Sequence, residues 1–137
     1  MDGVRGADDG SVLLLTIGYA LLAIALVLVC VDATSLYLAQ KRTDAAADAV
    51  AISAADGFRL TMVDGRPVAR LSNDEVWTQA AEMADAVGTV RLVAAHTDDG
   101  ASARVTVAAT WHSPVLSLFV PNGVELESSA TSRTAFG

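Results

Sequence analysis

"GSVLLLTIGYALLAIALVLVCVDATSLYLAQKRTDAAADAVAISAADG", residues 10–57, decides the fold, because a membrane-length apolar run passes into an alanine-rich polar helix without a break. Ser11 to Val31 provides 21 consecutive residues without a charge. At a rise of about 1.5 Å per residue they extend about 30 Å, the thickness of a bilayer's hydrocarbon core. A cleaved secretory signal would instead carry an apolar region of about 7–15 residues behind basic residues and ahead of a small-residue cut site. The leader "MDGVRGADDG" has Arg5 as its single base against Asp2, Asp8 and Asp9, and no helix breaker follows Val31. Residues 11–31 therefore read as a transmembrane anchor that is retained, and the lipid bilayer as the first partner.

The helical signal continues beyond Val31 with a different character. Leu36, Thr43 and Val50 recur every seven residues, with Ala39, Ala46 and Ser53 between them, which draws one apolar stripe and leaves Gln40, Lys41, Asp44 and Asp48 mostly on other faces. Alanine, the strongest helix former, dominates "TDAAADAVAISAA", and Gly57 is expected to be the left-handed residue that closes the helix. Residues 11–57 are thus expected to form one helix, transmembrane over 11–31 and amphipathic over 32–57, behind a leader of residues 1–10. Alanines four residues apart at Ala47, Ala51 and Ala55 let another backbone approach closely. Leu36, Ala39, Ala46, Ala47, Val50 and Ala54 form the candidate packing or assembly face. It suits either the chain's own head or a neighbouring subunit.

After Gly57 the elements shorten. Asp64-Gly65 sits between two partly alternating runs as a hairpin turn, with Pro67 confined to an edge. Ser72 and Glu75 form a capping-box pattern ahead of a helix whose Val76, Ala80, Met83 and Val87 share a face, ended by Gly88. Three strands are expected in "TVRLVAAHT", "SARVTVAATWH" and "GVELESSATSRTA". Their alternation puts Leu92, Val105, Val107 and Leu126 on one face and Arg91, Arg104, Thr106, Glu125 and Glu127 on the other. An antiparallel sheet with one face covered by both helices follows. The intervening "SPVLSLFVPNG" is more apolar than a surface loop needs. It suits a cap on the sheet or a patch that meets a partner or the membrane.

Charge and motif content exclude several functions. Nine Lys and Arg against sixteen Asp and Glu give a net charge of −7, spread along the chain, so no basic stripe is offered to nucleic acid. Mean hydropathy is +0.44. The single cysteine, Cys30, lies in the apolar run and excludes an internal disulfide. His96 with Asp98 and Asp99, or His112 beside Ser113, has neither metal-ligand spacing nor the shape of a triad, and the glycines form no phosphate loop. The chain reads as a non-enzyme with no catalytic set, cofactor or metal. The weak contrast of Arg5 with Lys41 and Arg42 does not set its orientation in a membrane.

The order Gly10-Ser11, apolar helix, Val31-Asp32, "LYLA" at 36–39, Lys41-Arg42 and the alanine run 46–55 resembles the N-terminal region of the TadE/TadG-like proteins of Flp-type (tight-adherence) pilus systems. "RVTVAATWHSPVL" and "GVELESSATSRT" are similar to that family's closing strands. The resemblance implies an α+β protein: a long N-terminal transmembrane helix continuing into a small pilin-like domain with a second helix and an antiparallel sheet of three or more strands. It further implies a cell-membrane location with a cytoplasmic N-terminus and an extracytoplasmic head over 58–137. The implied partners are other pilus or pseudopilus subunits, the inner-membrane assembly platform and a prepilin peptidase acting at Gly10-Ser11. One position departs from it: the fifth residue after Gly10 is Leu15, where processed pseudopilins carry glutamate. That favours a minor or accessory component over a bulk filament subunit. The competing reading is a membrane-anchored extracytoplasmic ligand-binding protein or secreted effector unrelated to pili.

Overall fold

A computed structural model describes residues 2–134, with side chains from residue 8 onward. Met1 and residues 135–137, the outer ends of the expected leader and head, lie outside the described residues. The element order is α1 (Asp2–Asp56), β1 (Arg59–Val63), β2 (Arg66–Arg70), α2 (Asn73–Val87), β3 (Arg91–His96), β4 (Ser102–Trp111) and β5 (Val124–Arg133). The chain is α+β, as its pattern predicts.

Helix α1 runs unbroken for 55 residues, about 80 Å. It begins at Asp2 rather than after Gly10, so the expected leader and the Gly10-Ser11 bond are part of the helix. Its apolar first half stands clear of the rest of the described residues until Val29, which shares a cleft with Leu116 and Val120. The most hydrophobic window has a mean hydropathy of 2.8 and is 0% buried, which makes α1 long and apolar enough to cross a membrane.

The second half of α1 is the spine of the head. Strands β3, β4 and β5 form an antiparallel sheet in that order, and β1 pairs with β2 as a separate hairpin. Ala47, Val50, Ala51, Ala54 and Ala55 of α1 pack with Val76, Ala80 and Ala84 of α2 and with Ala103, Val105 and Val107 of β4 in one core. Most of these residues are small. Alanine on both helices and on the sheet brings the backbones close, so the core is thin and closely packed. Leu126 faces it from β5, while Arg91, Arg104, Glu125 and Glu127 are exposed, as the alternation predicts.

Strand β3 departs from simple alternation. Leu92 pairs with Val107, but after a register shift at Val93 it is Ala95, not Ala94, that pairs with Val105 and enters the core. The extra residue of a bulge lets both ends of a short strand keep their apolar side chains inward.

The caps hold with two changes. Ser72 Oγ accepts from the Glu75 N–H at 3.3 Å, yet the Glu75 carboxylate, instead of completing the box, pairs with Arg59 at the start of the hairpin. Gly57 is not among the left-handed residues, so it does not close α1 in the expected way. Its small size serves contact with α2, because a Cβ there would lie 2.6 Å from Gln79 Cγ. The Asp64-Gly65 turn does take left-handed geometry at both residues, φ 51° and 77°, as a two-residue hairpin requires.

Candidate assembly site at the helix and head junction

The expected stripe on α1 divides into two parts. Ala46, Ala47, Val50 and Ala54 are buried beneath the chain's own sheet and α2. Leu36 and Ala39, nearer the span, are half-buried: Leu36 lies in a cleft with Trp111, Ser113, Leu116 and Val120, and Ala39 in one with Thr43, Val90, Ala109 and Leu126. Gly10 and Ser11 lie far from both groups, exposed on the opposite end of the helix.

Polar contacts extend the grip of the head down α1 to the end of the apolar span. Asp32 is the first charged residue after the 21-residue run and is only 7% exposed. Ser113 Oγ donates to Asp32 Oδ1 at 2.8 Å and accepts from the N–H groups of Leu116 at 2.7 Å and Val115 at 3.3 Å. One hydroxyl thus uses its donor on the helix and its lone pairs on the turn that follows. Asp32 Oδ2 is buried and unpartnered. One turn further along, Trp111 Nε1 donates to Ser35 Oγ at 3.0 Å.

Higher on the helix, Gln40 and Asp44, off the apolar stripe, reach β5 and are half-buried against it. Ser128 Oγ donates to Asp44 Oδ1 at 2.7 Å, and Gln40 Nε2 donates to the same oxygen at 3.0 Å and to the Glu127 carbonyl at 3.4 Å. These bonds, Ser128 first and Gln40 second, with Lys41 contributing by its charge, hold the Asp44 carboxyl below its ordinary value. Beyond Leu126, the inward face of β5 carries Ser128, Ala130 and Ser132, so it offers small and polar side chains to the polar part of the helix. The contacts from Asp32 to Ala55 leave no free joint between span and head. A break where the apolar run ends would let the two halves bend, and none is present.

The titratable residues singled out in the sequence do not converge. His96 Nε2 lies 3.5 Å from Asp98 Oδ1 at the β3 end. Asp99 accepts from the N–H groups of Ala101 and Ser102 and from Ser102 Oγ, which order the β3–β4 turn and hold its carboxyl low. Ser113 serves Asp32 rather than the adjacent His112. Among the described residues, no group of His, Cys, Asp and Glu is arranged to hold a metal ion.

The pairing of Asp32 and Ser113 escaped the sequence reading because the two lie 81 residues apart. The available signal was an aspartate ending an apolar run without ending its helix, together with a Ser-Pro step able to start a turn.

Fold and junction together define a class: an α+β head fused rigidly to a helix with the length and apolarity to cross a membrane. Within it, residues 10–57 match the family model described as Flp pilus-assembly TadE/G-like, over the segment where the sequence resemblance is concentrated. No curated protein and no solved structure matches the chain.

Proposed function

We propose that this chain is a structural component, minor-pilin-like or accessory, of a bacterial type IV or tight-adherence pilus or a related secretion machine. It stands in the cell membrane by residues 11–31, with the N-terminus cytoplasmic and the head of residues 58–137 outside. The observation that carries this reading is the unbroken α1, clamped to its head from Asp32 onward, within a segment that matches a pilus-assembly family.

A component held in lipid and loaded by neighbouring subunits must pass force between span and head. A continuous helix with buried contacts on its polar half does this, whereas a flexible linker would absorb the motion. The Ala46 to Ala54 face is occupied within the head, so the surfaces left for other subunits and the assembly platform are the bare span and the outer faces of the head. With Leu15 in place of the pseudopilin glutamate, a minor or accessory position suits the chain better than bulk polymerisation. The role is mechanical rather than catalytic.

Topology tests this reading. A reporter enzyme active only after export, fused after Gly137, is expected to be active, and a cytoplasm-only reporter at the same point silent. The reverse pattern contradicts it. An anchored ligand-binding protein or effector would share that topology but would be isolated free of pilus-machine components.

A further inference from the structure

We propose that the loop of residues 113–121 is a second membrane contact, with Leu118 and Phe119 entering the headgroup region beside α1 and fixing the height and tilt of the head on the bilayer. The inference rests on the reading of residues 11–31 as a membrane span.

Three observations carry it. First, the loop is built to hold large apolar side chains outward. Ser113 starts its turn, the Phe119 and Val120 N–H groups both donate to the Leu116 carbonyl, at 2.9 and 3.0 Å, and Leu118 and Phe119 at the tip are 90% and 81% exposed. Two adjacent large apolar residues so open to water are costly unless something covers them.

Second, the height of the loop is known from its contacts. Leu116 and Val120 share a cleft with Val29 and Leu36, and Ser113 bonds Asp32. Val29 lies inside the charge-free run, about 4.5 Å below Asp32 along the helix axis. The loop therefore reaches the level where hydrocarbon gives way to headgroups, a zone about 5–8 Å deep on each side of a bilayer. Third, its chemistry suits that zone. Residues 113–124 contain no Asp, Glu, Lys or Arg, and Trp111, whose indole N–H is bonded to Ser35, stands at the same boundary, where tryptophan is favoured.

The protein partner that could otherwise cover this tip would have to sit at the lipid surface itself. The neutral composition favours ordinary zwitterionic lipid over a contact that depends on anionic headgroups.

Full-length protein with Cys30→Ala, reconstituted in phosphatidylcholine vesicles, tests the proposal by spin labelling at Leu118→Cys, Phe119→Cys, Leu22→Cys in the span and Met62→Cys in the hairpin. All four positions are exposed on the chain, so labels there leave the core intact. The labels at 118 and 119 are expected to be several-fold less accessible to a water-soluble nickel chelate than the label at 62, with an oxygen-to-nickel accessibility ratio between those of the labels at 62 and 22. If 118 and 119 are as accessible to nickel as 62 while 22 is shielded, the loop is no membrane contact although the span stands. Shielding of 118 and 119 from both reagents overturns the proposal in favour of a protein-covered surface. Nickel access at 22 removes the span and the proposal together.

Discussion

Ser113 Oγ lies 2.8 Å from Asp32 Oδ1 and ties the loop after β4 to the first charged residue beyond the apolar run of α1. The bond closes the head onto the helix at the point where a hinge would otherwise form. Removing the hydroxyl strands a buried carboxylate and frees the Leu116 N–H, a loss of about 1–3 kcal/mol. In denaturant titrations of the full chain in detergent, Ser113→Ala is expected to lower stability by that amount, and Ser113→Thr to retain most of it. No change with Ser113→Ala would mean that the bond does not close the joint.

The thin alanine core makes a second, sharper prediction. Ala47 and Val50 have no exposed surface, so arginine at either would bury an unpaired charge at a cost of several kcal/mol, comparable to the whole stability of a small domain, about 5–15 kcal/mol. Ala47→Arg and Val50→Arg are expected to abolish the cooperative unfolding of the head. Asp48→Arg, on the exposed side of the same turn, is expected to leave it intact. A folded head in both core variants, with loss only of assembly, would instead make this stripe an intersubunit surface.

Gly57 offers a test of close packing between α1 and α2. Its backbone is not left-handed, so alanine fits the conformation and gains about 0.4–1 kcal/mol from the unfolded state, but its Cβ meets Gln79 Cγ at 2.6 Å. Gly57→Ala is expected to be neutral or destabilising alone and stabilising in a Gln79→Ala background. A double-mutant cycle by thermal unfolding measures the coupling, and additivity would contradict the contact.

Asp44 gives a pH dependence. Its folded carboxyl is held below its unfolded value, chiefly by Ser128, so the ionised form favours the folded state. That contribution is present above about pH 4 and is lost as pH falls through the folded value. Carboxyl NMR of Ser128→Ala is expected to show the Asp44 titration moving up toward the ordinary range. An unmoved titration would contradict the bond to β5.

Processing at Gly10 is decided by intact mass. The mature native chain is expected to begin at Ser11, as a prepilin-type cut would leave it. Retention of the preceding residues would place the protein with uncleaved TadG-like anchors.

Strong, local patterns made much of this fold legible in the sequence. The uncharged 21-residue run, the alanine helix, the Asp64-Gly65 turn and the Ser72 cap each rest on neighbours in the chain, and the strand faces rest on alternation. What escaped depends on contacts between distant segments. Gly57 follows the last residue of α1 as its pattern predicts, but it reads as a left-handed cap until α2 is placed against it, and the bulge at Val93 answers to partners on β4. Asp44 reads only as a residue off the apolar stripe until β5 presents Ser128, and Asp32 as a mere boundary until Ser113 returns to it.

The central claim is that this rigid helix and head serve a pilus machine, and co-isolation tests it most directly. Tagged full-length protein, captured from gently solubilised membranes of its own host and analysed by quantitative mass spectrometry, is predicted to carry assembly-platform components and pilin-like subunits in stable proportion. Recovery of the intact membrane protein free of all such components, under conditions that keep the machine itself assembled, would contradict the account.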